Sequence, residues 1–172
     1  MKVSIRAETP ADIEGVRAVN LAAFKQPVEA DLIDRLRISS PDFISLVAVN
    51  ARQVVGNIVF TPATLESGQM PISGMALGPM AVLPAFQRKG IGSTLVQLGM
   101  ALIRQRSVPF VVVLGHPNFY PRFGFAQSIA YGIECPWPGI PKEVFMATIL
   151  DEKLMAGRKG LVRYRPEFDS AL

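Results

Sequence analysis

The stretch Gln87-Arg88-Lys89-Gly90-Ile91-Gly92-Ser93 gathers residue types suited to holding an anion. Two glycines one residue apart let backbone N–H groups approach a charged group with no Cβ in the way. An apolar segment ending in Met80-Ala81-Val82 precedes them, through Leu83-Pro84-Ala85-Phe86, and a helical pattern opens at Gly90. The first turn of a helix brings unsatisfied N–H donors and the positive end of the helix dipole. Arg88 and Lys89 add mobile positive charge at the same mouth. Together these features make a pyrophosphate cradle; the alternative is an ordinary tight turn closed by glycine, and a Gly-x-Gly alone leaves both open. A Walker loop does not fit, because no Gly-Lys-Ser/Thr follows at the required spacing. A dinucleotide fingerprint lacks its third glycine, since Leu95 stands three residues after Gly92. Downstream, His116 is the sole histidine. An imidazole suits proton transfer near neutral pH, and a structural hydrogen-bonding role competes with that use. Cys135, the sole cysteine, can form no internal disulfide and is expected to pack rather than react; with one histidine there is no Cys/His zinc set.

Positioning these groups requires a packed sheet. Residues 3–6 alternate as a short strand. Thr9, Pro10 and Asp12 suit a helix start, after which Ile13, Val16, Val19 or Asn20, and Phe24 recur at helical spacing. A second helix is predicted over 28–38 with Leu32, Ile33 and Leu36 on one face, followed by a turn at 39–42. Strands are predicted over 44–49, 54–65 and 73–82, joined by hairpin connections at 50–53 and at Ser67-Gly68-Gln69. A long helix fits 90–106, with Ile91, Leu95, Leu98, Leu102 and Ile103 as its stripe; Leu95, Leu98 and Leu102 are expected in the core. The continuous run Phe-Val-Val-Val-Leu at 110–114 is what a strand buried on both faces requires. A Pro-rich stretch with Pro136, Pro138 and Pro141 precedes closing strands at 144–149 and 161–164. Strands and helices in this order give an α/β (α+β) fold, expected as a single domain over 1–172.

Composition agrees with a packed core: of 172 residues, 49% are hydrophobic and 19% charged, which excludes a disordered chain. The formal charge of +4 is too small to mark a nucleic-acid binder, although a local cluster can still hold a phosphorylated ligand. The longest apolar run, 110–114, falls far short of the roughly 20 residues a membrane helix needs. The early polar residues do not make a signal peptide. A cytoplasmic protein with no membrane partner is expected.

With these blocks in hand, the chain resembles the GNAT superfamily of acyl-CoA-dependent N-acetyltransferases, in its branch of small predicted N-acetyltransferases. The signature Gln/Arg-x-x-Gly-x-Gly/Ala is met by Gln87-x-x-Gly90-x-Gly92, and the Tyr-x-x-x-Gly-Phe ending by Tyr120-Pro121-Arg122-Phe123-Gly124-Phe125. Gly115-His116-Pro117 and Gly160-Leu161-Val162-Arg163-Tyr164 extend the likeness. The resemblance implies a mixed, twisted, mostly antiparallel sheet flanked by helices. A splayed strand pair, one strand carrying Met80 and the other Leu114, would bind coenzyme A. Met80, Ala81 and Val82 would pair with the pantetheine arm, while Gln87 belongs to the signature and Arg88, Lys89, Gly90, Ile91, Gly92 and Ser93 would hold the pyrophosphate. Asn118 is a further pantetheine candidate, although the family's usual asparagine lies further ahead of the tyrosine, and a turn role competes. Gly78 and Pro79 suit either a local distortion or a weak edge strand.

The implied reaction moves an acetyl group from acetyl-CoA to a primary amine by direct attack in a ternary complex. A lysine-like amine, with pKa about 10.4, is protonated at pH 7 and must lose a proton before it attacks. A backbone N–H near residues 80–82 is the expected oxyanion donor. Tyr120 is the candidate general acid toward the departing thiolate; the alternative is a core tyrosine beside Phe119, Phe123 and Phe125. His116 is a candidate base, Glu66 is a loop carboxylate of equal standing, and an ordered water chain is the third option. The acceptor pocket would be built by residues 24–36 and 129–141, with Trp137 at its flank or plugging the sheet end. Expected partners are a small-molecule or peptide amine and, through the late strands, a second copy in a homodimer; no metal and no nucleic acid are expected. Two rival readings are a non-catalytic acyl-CoA-binding or sensing module and an RNA- or nucleotide-binding domain using Arg88, Lys89, Arg104 and Arg106.

Overall fold

The computed structural model describes residues 2–68 and 70–171. In chain order the elements are β1 (Val3–Ala7), α1 (Ile13–Phe24), α2 (Val28–Ser39), β2 (Ile44–Asn50), β3 (Gln53–Glu66), β4 (Ile72–Val82) and α3 (Ile91–Arg104). There follow β5 (Phe110–Leu114), β6 (Ala126–Gln127), β7 (Ile133–Glu134), β8 (Phe145–Ile149), the short α4 (Glu152–Met155) and β9 (Gly160–Arg163). Short 3-10 turns fill several of the connections. The strand order is β1-β2-β3-β4-β5-β8-β6, with β9 on β3 and β7 on β9. The pairs β1–β2, β2–β3, β3–β9, β5–β8 and β6–β8 are antiparallel, and β4–β5 and β7–β9 are parallel. This is the mixed, mostly antiparallel sheet that the resemblance implies.

The chain forms two compact units, and β3 and β4 each contribute to both. The first comprises Met1–Phe60, Gly78–Ala101 and Pro166–Leu172. Here the alternation of β2 and β3 sorts side chains between two helical layers. Val47 and Val59 face α1 and α2, in a cluster with Val16, Val19, Ile33 and Ala81. On the other face, Gly56 approaches Leu95 and Phe60 approaches Gly99, both on α3. The β2–β3 hairpin turns at Ala51 and Arg52, whose φ values of 44° and 73° are the left-handed pair a two-residue connection needs. The turn Pro10–Asp12 that leads into α1 starts at a capping box: the Asp12 carboxylate accepts from the Thr9 backbone N–H and hydroxyl, each at 2.8 Å, and is gripped by Arg6 at 2.6 and 2.9 Å.

The buried face of α3 differs from the predicted stripe. Leu98 and Leu102 are 43% and 38% exposed, whereas Ile91, Leu95, Val96, Met100 and Ile103 are buried. At roughly 100° per residue, the buried arc is centred near Gly99. A Cβ there would stand 2.4 Å from Phe60 Cε2, so the absent side chain is what lets the ring in. A glycine carries no hydrophobic signal, so the apparent stripe shifts to the flanking leucines. Phe24 is likewise exposed, and the inner face of α1 consists of Val16, Val19 and Asn20 with Ala23 packed beside them. Between α1 and the sheet runs a polar chain the apolar pattern did not reveal. Asn20 donates to Asn57 (3.3 Å), Asn57 to Ser45 (2.9 Å), Ser45 to the Glu8 carboxylate, and Arg37 from α2 to Glu8 (2.6 Å).

The second unit comprises Thr61–Leu77 and Leu102–Arg165. Its central strand β5 is buried as its sequence requires, paired parallel to Met75–Leu77 of β4 and antiparallel to all of β8. Its core joins Leu65, Phe110, Val112, Ile133, Phe145 and Val162, with Cys135, Trp137 and Tyr164 packed against it. The closing strands form where the pattern places them, with Val144 in the preceding turn. Of the second predicted hairpin connection, Gln69 lies outside the described residues.

Candidate active site

In the first unit, the end of β4 and the start of α3 build one set of candidate residues. Ala81 is buried among Val16, Val19 and Ile33, while Met80 and Val82 on either side are half-buried. Leu83 N–H donates to Val55 O (2.9 Å), tying the strand end to β3. The Gln87 side-chain amide donates back to Val82 O at 2.9 Å, so the residue that opens the signature fastens the loop to the strand. Lys89 Nζ donates to Ala85 O (2.8 Å) and lies 5.4 Å from the centre of the Phe86 ring. Arg88 and Gly90 are both left-handed, with φ of 59° and 83°. Left-handed residues in a turn aim successive N–H groups into one concavity, the arrangement that suits an anion. A Cβ added at Gly90 would meet nothing within 4 Å: the backbone angle demands the glycine, and the space above the loop is open.

Helix α3 opens directly from that loop. Thr94 donates to Gly90 O through its N–H (3.0 Å) and its hydroxyl (3.1 Å), making Gly90 the first intrahelical acceptor. The N–H groups of Ile91, Gly92 and Ser93 are the first-turn donors with no intrahelical partner. Arg88 and Lys89, in the loop just before them, are exposed. A pyrophosphate fits this donor set: clustered N–H groups, a helix dipole and two cations, with no carboxylate in the loop sequence.

In the second unit, the chain leaving β5 builds a separate set. Gly115 N–H donates to Val144 O (2.9 Å), and His116 O accepts from Phe119 N–H (3.0 Å) and Tyr120 N–H (3.5 Å). The His116 and Asn118 side chains are exposed on this turn. Tyr120 is buried, edge-on to Phe119 (5.0 Å) and Phe125 (5.8 Å). A Cβ at Gly115 would lie 2.2 Å from its ring, so that glycine provides the seat. Arg122 caps Phe119 O (3.2 Å) and covers the Phe119 ring at 4.6 Å. Burial pushes the Tyr120 phenol up to about 12. Tyr120 is therefore a fixed, fully protonated phenol at neutral pH, compatible with both the core and the donor readings.

Sequence reasoning missed Tyr164 as part of this environment. It is edge-on to Trp137 (4.8 Å) and near Phe145 (6.3 Å), and burial followed by the Cys135 and Tyr120 charges raises its phenol well above the usual value. Its signal was one tyrosine at the end of a strand pattern, which carries no spacing information. Trp137 packs with Tyr164 on the core, and its buried indole N–H has no hydrogen-bond partner among the described residues. Cys135 is half-buried, its thiol pushed up by burial, as expected of a packing residue. Glu66 pairs with Arg163 at 3.2 Å, a structural ion pair on the β3–β9 ladder. Among the described residues, no cluster of three or more His, Cys, Asp or Glu could hold a metal ion, and no helix is long and apolar enough to cross a membrane.

The acetyltransferase (GNAT) domain model matches residues 41–127, a span that contains the β4 end, the loop, α3 and the Tyr120 turn. The chain belongs to the GNAT acetyltransferase family. It is 32% identical over 166 residues to the uncharacterized N-acetyltransferase YhbS of Escherichia coli, covering 96% of this chain and 98% of that protein. It is 37% identical over 137 residues to the uncharacterized N-acetyltransferase YjhQ of the same organism, covering 77% and 75%. Among solved structures, Escherichia coli YhbS in complex with CoA superposes with a TM-score of 0.90 at 29% identity, over 98% of this chain and 93% of that one. A GNAT acetyltransferase from Brucella melitensis in complex with acetyl-CoA gives 0.77 at 31% identity, over 98% and 99%. This GNAT chain is thus an acyltransferase by family, and its own residues carry the rest of the chemistry.

Proposed function

We propose that the protein is a single-domain, cytoplasmic enzyme that transfers the acetyl group of acetyl-CoA to a primary amine by direct attack in a ternary complex. The observation that carries this reading is the left-handed Arg88–Gly90 loop opening α3, fastened by Gln87 to the strand end that bears Met80–Val82. The CoA complex of one relative and the acetyl-CoA complex of another, both with matching folds, support the choice of acyl donor. Backbone N–H groups from Arg88 to Ser93 hold the pyrophosphate, and Asn118 is a further pantetheine contact. The β4–β5 register ends at Leu77 and Val113, and the backbone of residues 78–82 is the edge that receives the pantetheine amides.

Chemically, the amine nitrogen attacks the thioester carbonyl, the C–N bond forms, and the C–S bond breaks. A backbone N–H of residues 80–82 stabilises the oxyanion. Tyr120 donates to the sulfur. A phenol near 12 is a weaker acid than a thiol of pKa about 8.5, so complete transfer from Tyr120 alone runs uphill. The proton shed by the attacking nitrogen closes the balance: Tyr120 gives its proton to sulfur as one returns to it, through water or through His116 at the same turn. The product is an amide and free CoA thiol.

Calorimetric titration with acetyl-CoA tests the first half, using wild type and a Gly90→Val/Gly92→Val variant. Expected are one-site binding in the wild type and its loss in a variant that keeps its circular dichroism. Equal binding by both would remove the loop assignment. Release of CoA thiol across an amine panel then tests turnover; donor binding without any turnover would favour the sensing module.

A further inference from the structure

We propose that Phe168 is a positioning residue for the β4 segment that carries Met80–Val82, held in place by a clamp from α2. Leu77 is the last β4 residue in register with β5, and Gly78 and Pro79 come next. Gly78 has no side chain to pack, and Pro79 has no N–H to donate, so this stretch lacks two ordinary means by which a strand is held. β3 lies along the other edge of β4, and packing over Gly78 adds a second constraint on its course. A Cβ added at Gly78 would stand 2.8 Å from Val59 Cγ2 and 3.5 Å from Phe168 Cζ: the Val59 methyl and the Phe168 ring tip fill the place of the missing side chain. Phe168 is 5% exposed and sits in the turn Pro166–Ser170. Those last residues belong to the compact unit of residues 78–101, not to the unit of the residues just before them.

The clamp comes from one edge of α2. Arg35 and Ser39 are four residues apart and therefore neighbours on the helix surface. Arg35 donates to Ser170 Oγ at 2.7 Å and to Glu167 O at 3.4 Å, and the Ser39 hydroxyl donates to the Glu167 carboxylate. The adjoining face of α2 is buried through Leu32, Ile33 and Leu36, which fixes the helix and so the clamp. Core packing thus reaches β4 through three links: α2, the Pro166–Ser170 turn, and the Phe168 ring against Gly78. The inference rests on the reading that residues 80–82 receive the acyl donor.

The test uses the full chain with Phe168→Ala and the conservative Phe168→Leu. Hydrogen exchange of residues 74–83 in the free protein reads the position of β4 without reference to any ligand. Expected are exchange at residues 78–82 faster by about tenfold in Phe168→Ala and near wild type in Phe168→Leu. The acetyl-CoA dissociation constant and KM should rise by about tenfold in Phe168→Ala, with KM for the amine unchanged and Phe168→Leu recovering most of the loss. A folded Phe168→Ala with wild-type exchange and affinity would overturn the proposal. If Phe168→Ala does not fold, Arg35→Ala removes the clamp while keeping the ring. It should raise exchange and the dissociation constant about threefold, and no change in either would equally overturn the proposal. Failure of the wild type to bind acetyl-CoA would instead refute the functional reading, and the exchange result would still decide whether Phe168 holds β4.

Discussion

Tyr120 shows how one side chain can satisfy two readings at once. Its ring is seated on Gly115 and between Phe119 and Phe125, as a core residue's would be, and the same burial keeps its phenol protonated far above neutral pH. Tyr120→Phe removes only the hydroxyl, so the fold and acetyl-CoA affinity should be retained while kcat falls by about a hundredfold. Steady-state kinetics beside calorimetry check this, and an unaltered kcat would leave Tyr120 a core residue only. Asp12 is the second residue with a sharp expectation. The Arg6 guanidinium, helped by the Thr9 N–H and hydroxyl, holds its carboxyl well below the usual carboxylate range. A depressed folded-state pKa stabilises the protein above the unfolded value and loses its effect as pH falls through the folded value. The melting temperature of Asp12→Asn should therefore lie below wild type at pH 7, and the gap should be full above about pH 5 and close as pH drops below about 3.9. A gap of the same size at pH 2 as at pH 5 would contradict the assigned charge state.

At the scale of elements, α3 has two jobs that meet in its glycines. Gly90 just before it takes the left-handed angle that shapes the loop, and Gly99 in its middle admits Phe60 from β3. Gly99→Val should cost about 1–3 kcal/mol in a urea titration, because the ring at full burial has no room to retreat. Leu98→Lys, on the exposed flank, should stay within about 0.5 kcal/mol of wild type. The reverse ranking would restore the leucine stripe as the packed face. The same comparison explains why the predicted helix had correct limits to within two residues and a misplaced inner face. Limits are set by Gly and Pro, which are visible in sequence, whereas the face was decided by a close approach from another element.

At the scale of the whole molecule, donor binding and folding are linked. A ligand that binds only the folded state at about 100 times its dissociation constant adds about 2.7 kcal/mol, which for a chain of this length raises Tm by roughly 5–10 °C. Thermal melts with acetyl-CoA should show that rise in wild type and none in Gly90→Val/Gly92→Val; a rise in both would place the donor elsewhere. The family, the order of elements along the chain and the glycine loop between β4 and α3 were legible in the sequence because each depends on local signals. Alternating strands, a buried Val run and glycines at a strand-to-helix turn need no distant partner to be recognised. Residues that act through distant contacts were not legible in this way. Asn20 and Asn57 meet across 37 positions, Arg35 and Ser170 across 135, and Phe168 reaches Gly78 from the other end of the chain. No periodicity joins such pairs. The sequence by itself thus determined which chemistry the loop can do, since backbone conformation and charge are local properties. Only the tertiary structure decided which side chains hold that loop and its strand in place, because packing against a missing side chain exists only once the chain has folded back on itself.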